Sequence, residues 1–326
     1  MTILVTGGAG YIGSHMVKLL RGRGRRVVVL DNLCTGHRDA LPAGIDFVEG
    51  DIADSARVAR LLEARAVRAV IHFAAHTVVE ESTAEPMKYY ANNVAGTLAL
   101  LGAMRAAGVE RIVFSSSAAV YGAPQRIPVD EAHPAAPINP YGATKLAIER
   151  VLADLHTAHG LCSASLRYFN AAGADPEGLL GPRHEPATHL VPLALQAASG
   201  RRPAVSVYGT DYATRDGTCV RDYVHVMDLC AAHLLALDWL EQNAGCETFN
   251  LGSGHGVTVL EVIEAVRRET GARVEVRAAA RRAGDAAILV ASCERARRVL
   301  GWTARRSDIG TIVRDAWRWE QRLASA

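Results

Sequence analysis

The feature that most restricts what this chain can fold into is a glycine-rich turn near its N-terminus. Thr6-Gly7-Gly8-Ala9-Gly10-Tyr11-Ile12-Gly13 follows the apolar stretch Ile3-Leu4-Val5 and runs straight into a helical pattern. One glycine permits the tight turn, another lets backbone N–H groups approach a pyrophosphate, and Gly13 lets the helix pack closely on the strand. The start of the helix then attracts phosphate charge. Gly7, Gly10, Tyr11, Ile12 and Gly13 are therefore candidate dinucleotide contacts. Asp31 closes the second β-rich run, about twenty residues after the glycines, where a carboxylate can accept hydrogen bonds from ribose hydroxyls. It would repel a 2′-phosphate, so NAD is favoured over NADP. Asp51-Ile52, just past the third run, is placed either to hold the adenine edge or simply to cap a helix, and the sequence leaves both readings open.

The runs 2–6, 26–31, 45–49, 69–73, 111–115 and 163–168 read as strands, with helical patterns at 55–64, 86–107 and 140–159 between them. Strands that are apolar almost throughout and separated by helices imply a parallel sheet covered on both faces. The expected class is α/β, a doubly wound parallel sheet of Rossmann type. After Asn170 glycines and prolines crowd together before a helix at 190–198, which marks a smaller C-terminal substrate lobe. Sheet-and-helix signals return at 221–239 and 248–252. The expected division is thus 1–169 with a returning segment at about 218–251 for the dinucleotide domain, and 170–217 with 252–326 for the substrate lobe.

A chain of 326 residues, 49% of them hydrophobic, can bury a sizeable core. Lys and Arg number 36 against 34 Asp and Glu, a net +2 that gives no reason to expect a nucleic acid or an acidic membrane as partner. A small-molecule ligand is the better expectation. The cysteines (Cys34, Cys162, Cys219, Cys230, Cys246, Cys293) are scattered without a C-x-x-C pair, so no metal or dithiol centre is expected. Met1 leads directly into apolar residues, without the charged region of a signal peptide, and no apolar run approaches the ~20 residues of a membrane span. The expected compartment is the cytoplasm. The arginines near the C-terminus, Arg295 to Arg306, read as a solvated helical face.

Tyr141 and Lys145 lie four apart at the start of the helix introduced by Asn139-Pro140, so they project from one face. Leu152 and Leu155 lie close to that face, which makes it the buried one. A lysine there is costly unless it is used or paired. For Tyr141 to act as a base at neutral pH its pKa must fall by roughly three units from about 10, and an adjacent ammonium supplies the right sign. Ser115-Ser116-Ser117 ends the fifth strand run, at the edge where open α/β sheets bind ligands. Ser117 lies furthest out and is the candidate hydroxyl.

These motifs together resemble the extended short-chain dehydrogenase/reductases, and within them the UDP-glucose (UDP-galactose) 4-epimerase branch. The resemblance runs over almost the whole chain: T-G-G-A-G-Y-I-G at 6–13, Asp31-Asn32, S-S-S-A-A-V-Y-G at 115–122, Y-G-A-T-K at 141–145, R-Y-F-N-A-A-G at 167–173 and G-T-C-V-R-D-Y-V-H-V at 217–226. It implies that Ser117, Tyr141 and Lys145 form the catalytic triad. It also implies that Asn32, Phe73, Ala74, Ala75, Asn92 and Phe169 line a tightly held NAD. Asn170, Leu190, Tyr208, Arg221, Arg282 and Asp285 would contact a UDP-sugar, with forked arginine donors suited to its diphosphate and Tyr208 to its uracil. Leu289, four positions after the Asp of Gly284-Asp285, would flank C2 of the sugar, where a bulky Tyr goes with rejection of N-acetyl sugars. The resemblance further implies a homodimer formed through the helices at 86–107 and 140–159.

Two positions depart from the pattern. Thr77 stands where some members carry a Lys near the NAD phosphates, and Ala119 where many carry a second hydroxyl. Rival chemistries remain within the same family. A 4,6-dehydratase needs an Asp-Glu pair after the loop hydroxyl, and Ala118-Ala119 offer none. A UDP-glucuronate decarboxylase and a UDP-N-acetylglucosamine 4-epimerase stay open, and a catalytically silent NAD-binding scaffold is a remote alternative.

Overall fold

The computed structural model describes residues 1–183, 186–282 and 285–325. Through the first half β1 (Thr2–Thr6), α1 (Tyr11–Gly22), β2 (Arg26–Asp31), β3 (Asp46–Glu49), α2 (Ser55–Ala64), β4 (Val67–His72), α3 (Val79–Ala84), α4 (Pro86–Tyr89), α5 (Thr97–Ala106), β5 (Arg111–Ser117), α6 (Pro140–His159) and β6 (Cys162–Tyr168) succeed one another. The second half adds β7 (Asn170–Ala172), α7 (Leu190–Ala198), β8 (Val205–Tyr208), β9 (Val220–His225), α8 (Val226–Gln242), β10 (Cys246–Leu251), β11 (Gly256–Thr258), α9 (Val259–Thr270), β12 (Val276–Ala279), β13 (Ile288–Leu289), α10 (Glu294–Leu300) and α11 (Ile309–Ser325).

The chain divides into two compact units. The first comprises Met1–Gly122, Pro134–Arg167 and Cys230–Phe249; the second comprises Ala123–His133, Tyr168–Leu229 and Asn250–Ala326. The returning segment thus starts at Cys230, later than the sequence reading places it, and the short stretch Ala123–His133 joins the second unit.

In the first unit a seven-stranded sheet runs in the order β10-β6-β5-β4-β1-β2-β3 among the described residues. The ladders from β3 across to β5 are parallel. This is the doubly wound Rossmann-type sheet. Strand order reverses direction between β1 and β4, so the loops leaving those two strands open the crevice where such sheets take ligands. The reason for the parallel arrangement is visible in burial. Ile3, Leu4 and Val5 of β1 and Ala69, Val70 and Ile71 of β4 are each 0% exposed, as strands covered on both faces must be. Val58, Leu61 and Leu62 of α2 pack with Leu100 and Met104 of α5 against Leu4, Leu30 and Val70.

Local rules set α6. Pro140 occupies the first turn, where its missing N–H costs nothing, and the Asn139 side chain accepts from the Gly142 N–H at 2.8 Å. Gly160, with φ of 72°, ends it in the left-handed region. The helical pattern at 86–107 is not one regular helix, however. Tyr90–Gly96 winds as a π-helix between α4 and α5. There Asn93 is buried, and its amide accepts from the His76 N–H at 2.8 Å and donates to the His76 carbonyl at 3.0 Å. A wider turn that carries a buried polar anchor marks functional segments.

In the second unit β9 pairs with β7, β11 and β13, while β8 pairs with β12. Val191 and Leu195 of α7, Val262 and Val266 of α9 and Ile312 and Val313 of α11 form its core. Among the described residues no helix is long and apolar enough to cross a membrane, and no group of three or more His, Cys, Asp or Glu could hold a metal ion.

Candidate active site

The glycine turn leaves room where a dinucleotide needs it. Gly7 has φ of +68°, and a Cβ there would lie 2.6 Å from the Ala74 nitrogen; a Cβ on Gly13 would overlap the Gly7 carbonyl oxygen. Gly10 begins α1 without a side-chain cap, and the first turn holds no acidic residue. The positive end of the helix is therefore presented to an anion. Asp31 is buried, with Oδ2 accepting from the Ala9 N–H at 2.9 Å and Oδ1 from the Leu33 N–H at 2.8 Å. Each oxygen keeps a lone pair with which to accept from a ribose hydroxyl. These features fit a dinucleotide.

Asn32 donates through Nδ2 to Asp51 Oδ2 at 2.9 Å, and Asp51 Oδ1 accepts from the Ala53 N–H at 2.9 Å. The cap of α2 is Asp54, which accepts from the Arg57 N–H at 3.0 Å, so the capping reading of Asp51 is corrected. Ile52 is buried in the core of the first unit. Phe73 donates its N–H to the Thr6 carbonyl at 2.9 Å and sets its ring 4.7 Å from that of His233. Ala74 and Ala75 follow it, half-buried, and Asn92 donates to Asn93 Oδ1 at 2.8 Å.

At the carboxyl end of β5 the three candidate catalytic side chains meet. The strand runs two residues further than the sequence run suggests, through Ser117. Ser115 and Ser116 are buried and Ser117 is half-buried, its Oγ accepting from the Ala119 N–H at 3.1 Å. Tyr141 is buried and its phenol hydrogen-bonds Ser117. Lys145 Nζ lies 5.8 Å from the centre of the Tyr141 ring and donates to the Ser115 carbonyl at 2.8 Å. Burial holds the Tyr141 pKa above the usual phenol value, with the Ser117 hydrogen bond acting in the opposite direction. The depression expected from the sequence is thus not a property of the polypeptide alone, because desolvation of the phenolate outweighs the nearby ammonium. Lys145 is itself pushed down to about 7 by burial, while Glu149 opposes that shift.

Behind this edge His72 bridges Thr6 Oγ1 at 2.6 Å and Thr97 Oγ1 at 2.9 Å. Burial, assisted by Lys145, pushes it down to about 3, so it is neutral at physiological pH.

In the second unit Arg221 forms an ion pair with Asp285 at 3.3 Å and donates to the Ala286 carbonyl at 2.7 Å. Leu289 lies beside it, since β13 pairs with β9 in the register Leu289 to Arg221. Gly284, the other half of the Gly-Asp motif, lies outside the described residues. The Arg282 guanidinium sits 4.0 Å over the Tyr208 ring, on the kind of face expected to receive an aromatic base. Asn170 starts β7 and pairs in register with Tyr223, Phe169 donates to the Leu251 carbonyl at 3.0 Å, and Leu190 opens α7 against the core. The sequence reading missed Asn93, Glu149 and Arg167. The adjacent Asn92-Asn93 pair in an otherwise apolar helical run was the available signal for the first; Glu149, four residues after Lys145 on the same helix face, was that for the second.

Residues 3–252 match the model of the NAD dependent epimerase/dehydratase family. A UDP-glucose 4-epimerase of Lacticaseibacillus casei is 48% identical over 98% of this chain and 97% of its own length. The crystal structure of a UDP-glucose 4-epimerase from Brucella ovis in complex with NAD is similar at a TM-score of 0.95, with 51% identity and 97% of each chain covered. That of a Stenotrophomonas maltophila UDP-glucose-4-epimerase, with bound NAD and formylated UDP-arabinopyranose, is similar at 0.97, with 45% identity, over 100% of this chain and 99% of that one.

Proposed function

The chain belongs to the NAD dependent epimerase/dehydratase family, and from that premise we infer that it is an NAD-dependent UDP-glucose 4-epimerase, interconverting UDP-glucose and UDP-galactose through a transient 4-keto sugar. The observation that carries this reading within the protein is the Tyr141 phenol, hydrogen-bonded to Ser117 and within reach of the Lys145 charge at the carboxyl end of β5. Bound NAD would supply the hydride chemistry at C4 of the sugar. Gly7, Gly10, Tyr11, Ile12 and Gly13 offer backbone contacts to its diphosphate, and Asp31, Asn32, Asp51, Phe73, Ala74, Ala75, Asn92 and Phe169 are proposed to hold the remainder. Ile52 acts from the core beneath.

The work of the polypeptide is to hold and move one proton. Tyr141, as phenolate, takes the proton of the 4-hydroxyl, with Ser117 donating to the sugar oxygen and Lys145 stabilising the negative phenolate. The proton returns along the same path once the keto sugar has presented its other face. Asn170, Leu190, Tyr208, Arg221, Arg282, Asp285 and Leu289 are the proposed UDP-sugar contacts. A guanidinium already lying on Tyr208 and another held by Asp285 are poised to exchange those partners for a diphosphate.

We further propose a homodimer of cytoplasmic location. Purified protein given UDP-galactose and no external reductant should form UDP-glucose while retaining its NAD. Tyr141→Phe should lower kcat by orders of magnitude with little change in UDP-sugar affinity, because the phenolate acts on the transition state. Absence of interconversion by the NAD-loaded protein would overturn the reading.

A further inference from the structure

Beneath the catalytic edge lies a buried ion pair that the mechanism above does not use. Glu149 and Arg167 have side chains only 7% and 9% exposed. Arg167 Nη2 donates to Glu149 Oε2 at 2.5 Å and Nε to Oε1 at 2.9 Å, a forked arrangement that fixes both planes. The Ser116 hydroxyl donates to Oε1 at 2.5 Å, and Arg167 Nη1 donates to the Tyr121 hydroxyl at 2.9 Å. Tyr141, Lys145 and Glu149 are spaced at i, i+4 and i+8 along α6, and each engages a different member of the serine run. Tyr141 meets Ser117, Lys145 meets the Ser115 carbonyl, and Glu149 meets the Ser116 side chain. Replacing a buried ion pair with apolar residues is often neutral or stabilising, so stability alone is a weak reason for one here.

We propose that Glu149 is a positioning residue for the epimerase reaction: clamped between Arg167 and Ser116, it holds the Lys145 ammonium charged and the serine edge aligned beneath Tyr141. The proposal rests on the reading of Tyr141 as the base. Among the described residues, Tyr141, Glu149 and His72 are the titratable groups set against Lys145. Tyr141 and Glu149 lie on its own helix, and the Phe114 ring lies 5.0 Å away on β5. His72 on β4 is neutral, and Arg167 on β6 has its charge spent on Glu149. Tyr121 is bonded to Arg167, and the Cys246 thiol on β10 is raised by burial. Glu149 is thus the negative charge that favours a protonated lysine at this spot, consistent with its opposing the burial of Lys145.

Removing that charge lowers the pH at which Lys145 loses its proton, and a neutral lysine no longer stabilises the phenolate. In the NAD-loaded protein Glu149→Gln should therefore move the alkaline limb of the kcat profile to lower pH by about one unit or more. Glu149→Asp keeps the charge but shortens the reach, and should leave the limb near its wild-type position while slowing turnover. Phenolate absorbance of the NAD-loaded protein at neutral pH, with Tyr141→Phe subtracted, should show a smaller Tyr141 phenolate fraction in Glu149→Gln than in wild type. Should that variant fail to fold, Arg167→Met leaves the Glu149 carboxylate without its countercharge and should move the limb to higher pH. Equal losses in Gln and Asp variants with no movement of limb or phenolate fraction would overturn the proposal and leave Glu149 a packing residue. A wild-type protein that interconverts nothing, but whose phenolate fraction responds to Glu149→Gln, would sink the epimerase reading and leave Glu149 only as the group that sets the charge on Lys145 and Tyr141.

Discussion

Leu289 is the side chain proposed to set which sugars the enzyme accepts. It is half-buried and sits in register with Arg221, the residue proposed to hold the diphosphate, so its side chain is fixed by the strand pairing. Leucine lacks the ring and hydroxyl that a tyrosine would place there. A few heavy atoms in such a pocket are worth about 1–3 kcal/mol in discrimination. UDP-glucose and UDP-galactose should be preferred, with slower but measurable turnover of UDP-N-acetylglucosamine. Leu289→Tyr should lower kcat/KM for the N-acetyl sugar by roughly 10- to 200-fold more than for UDP-glucose. Equal N-acetyl activity in the two proteins would show that Leu289 is not the gate. At this scale the sequence is legible where spacing alone decides placement, as in Tyr141 and Lys145, both on the buried side of α6. It is opaque where the partner is remote: Arg167 reaches Glu149 across 18 positions, and nothing in the local pattern of either residue announces the other.

The turn from β1 to α1 is the element proposed to hold the cofactor. A Cβ on Gly13 would run into the Gly7 carbonyl oxygen, which is backbone and cannot move without shifting the turn. Gly13→Ala should therefore lower the melting temperature and strip NAD from the purified protein, seen as loss of nicotinamide from the released fraction. Gly22→Ala, at a site where a Cβ meets nothing within 4 Å, should do neither and serves as the control. Retention of NAD by Gly13→Ala at wild-type stoichiometry would separate the glycine from cofactor binding. This turn was readable from the chain because glycine requirements are local. The π-helical winding at Tyr90–Gly96 was not, because helical periodicity alone looks regular there. The buried Asn93 lies within it and pairs with the N–H and carbonyl of the half-buried His76 across 17 positions. Backbone groups withdrawn from water need partners, and a partner this far along the chain leaves no mark on local periodicity.

At the scale of the whole molecule, the segment from α3 to α5 carries apolar surface that the chain does not cover. Val79, Met87, Tyr90 and Leu98 are 43%, 77%, 42% and 45% exposed. Single exposed apolar residues need no explanation, but this one helical run contributes four large ones. Its inner face is already committed, since Tyr89 is fully buried and Asn93 is anchored on His76, so it cannot rotate to hide them. A second copy of the same helices, related by a two-fold axis, is the simplest cover. Sedimentation velocity at micromolar concentration should give a dimer. Met87→Glu/Leu98→Glu places charge on this surface, where neither side chain is needed for the fold, and should yield a folded monomer that still holds NAD. A wild-type monomer under those conditions, or a double variant that remains dimeric, would mean that this face is not the interface.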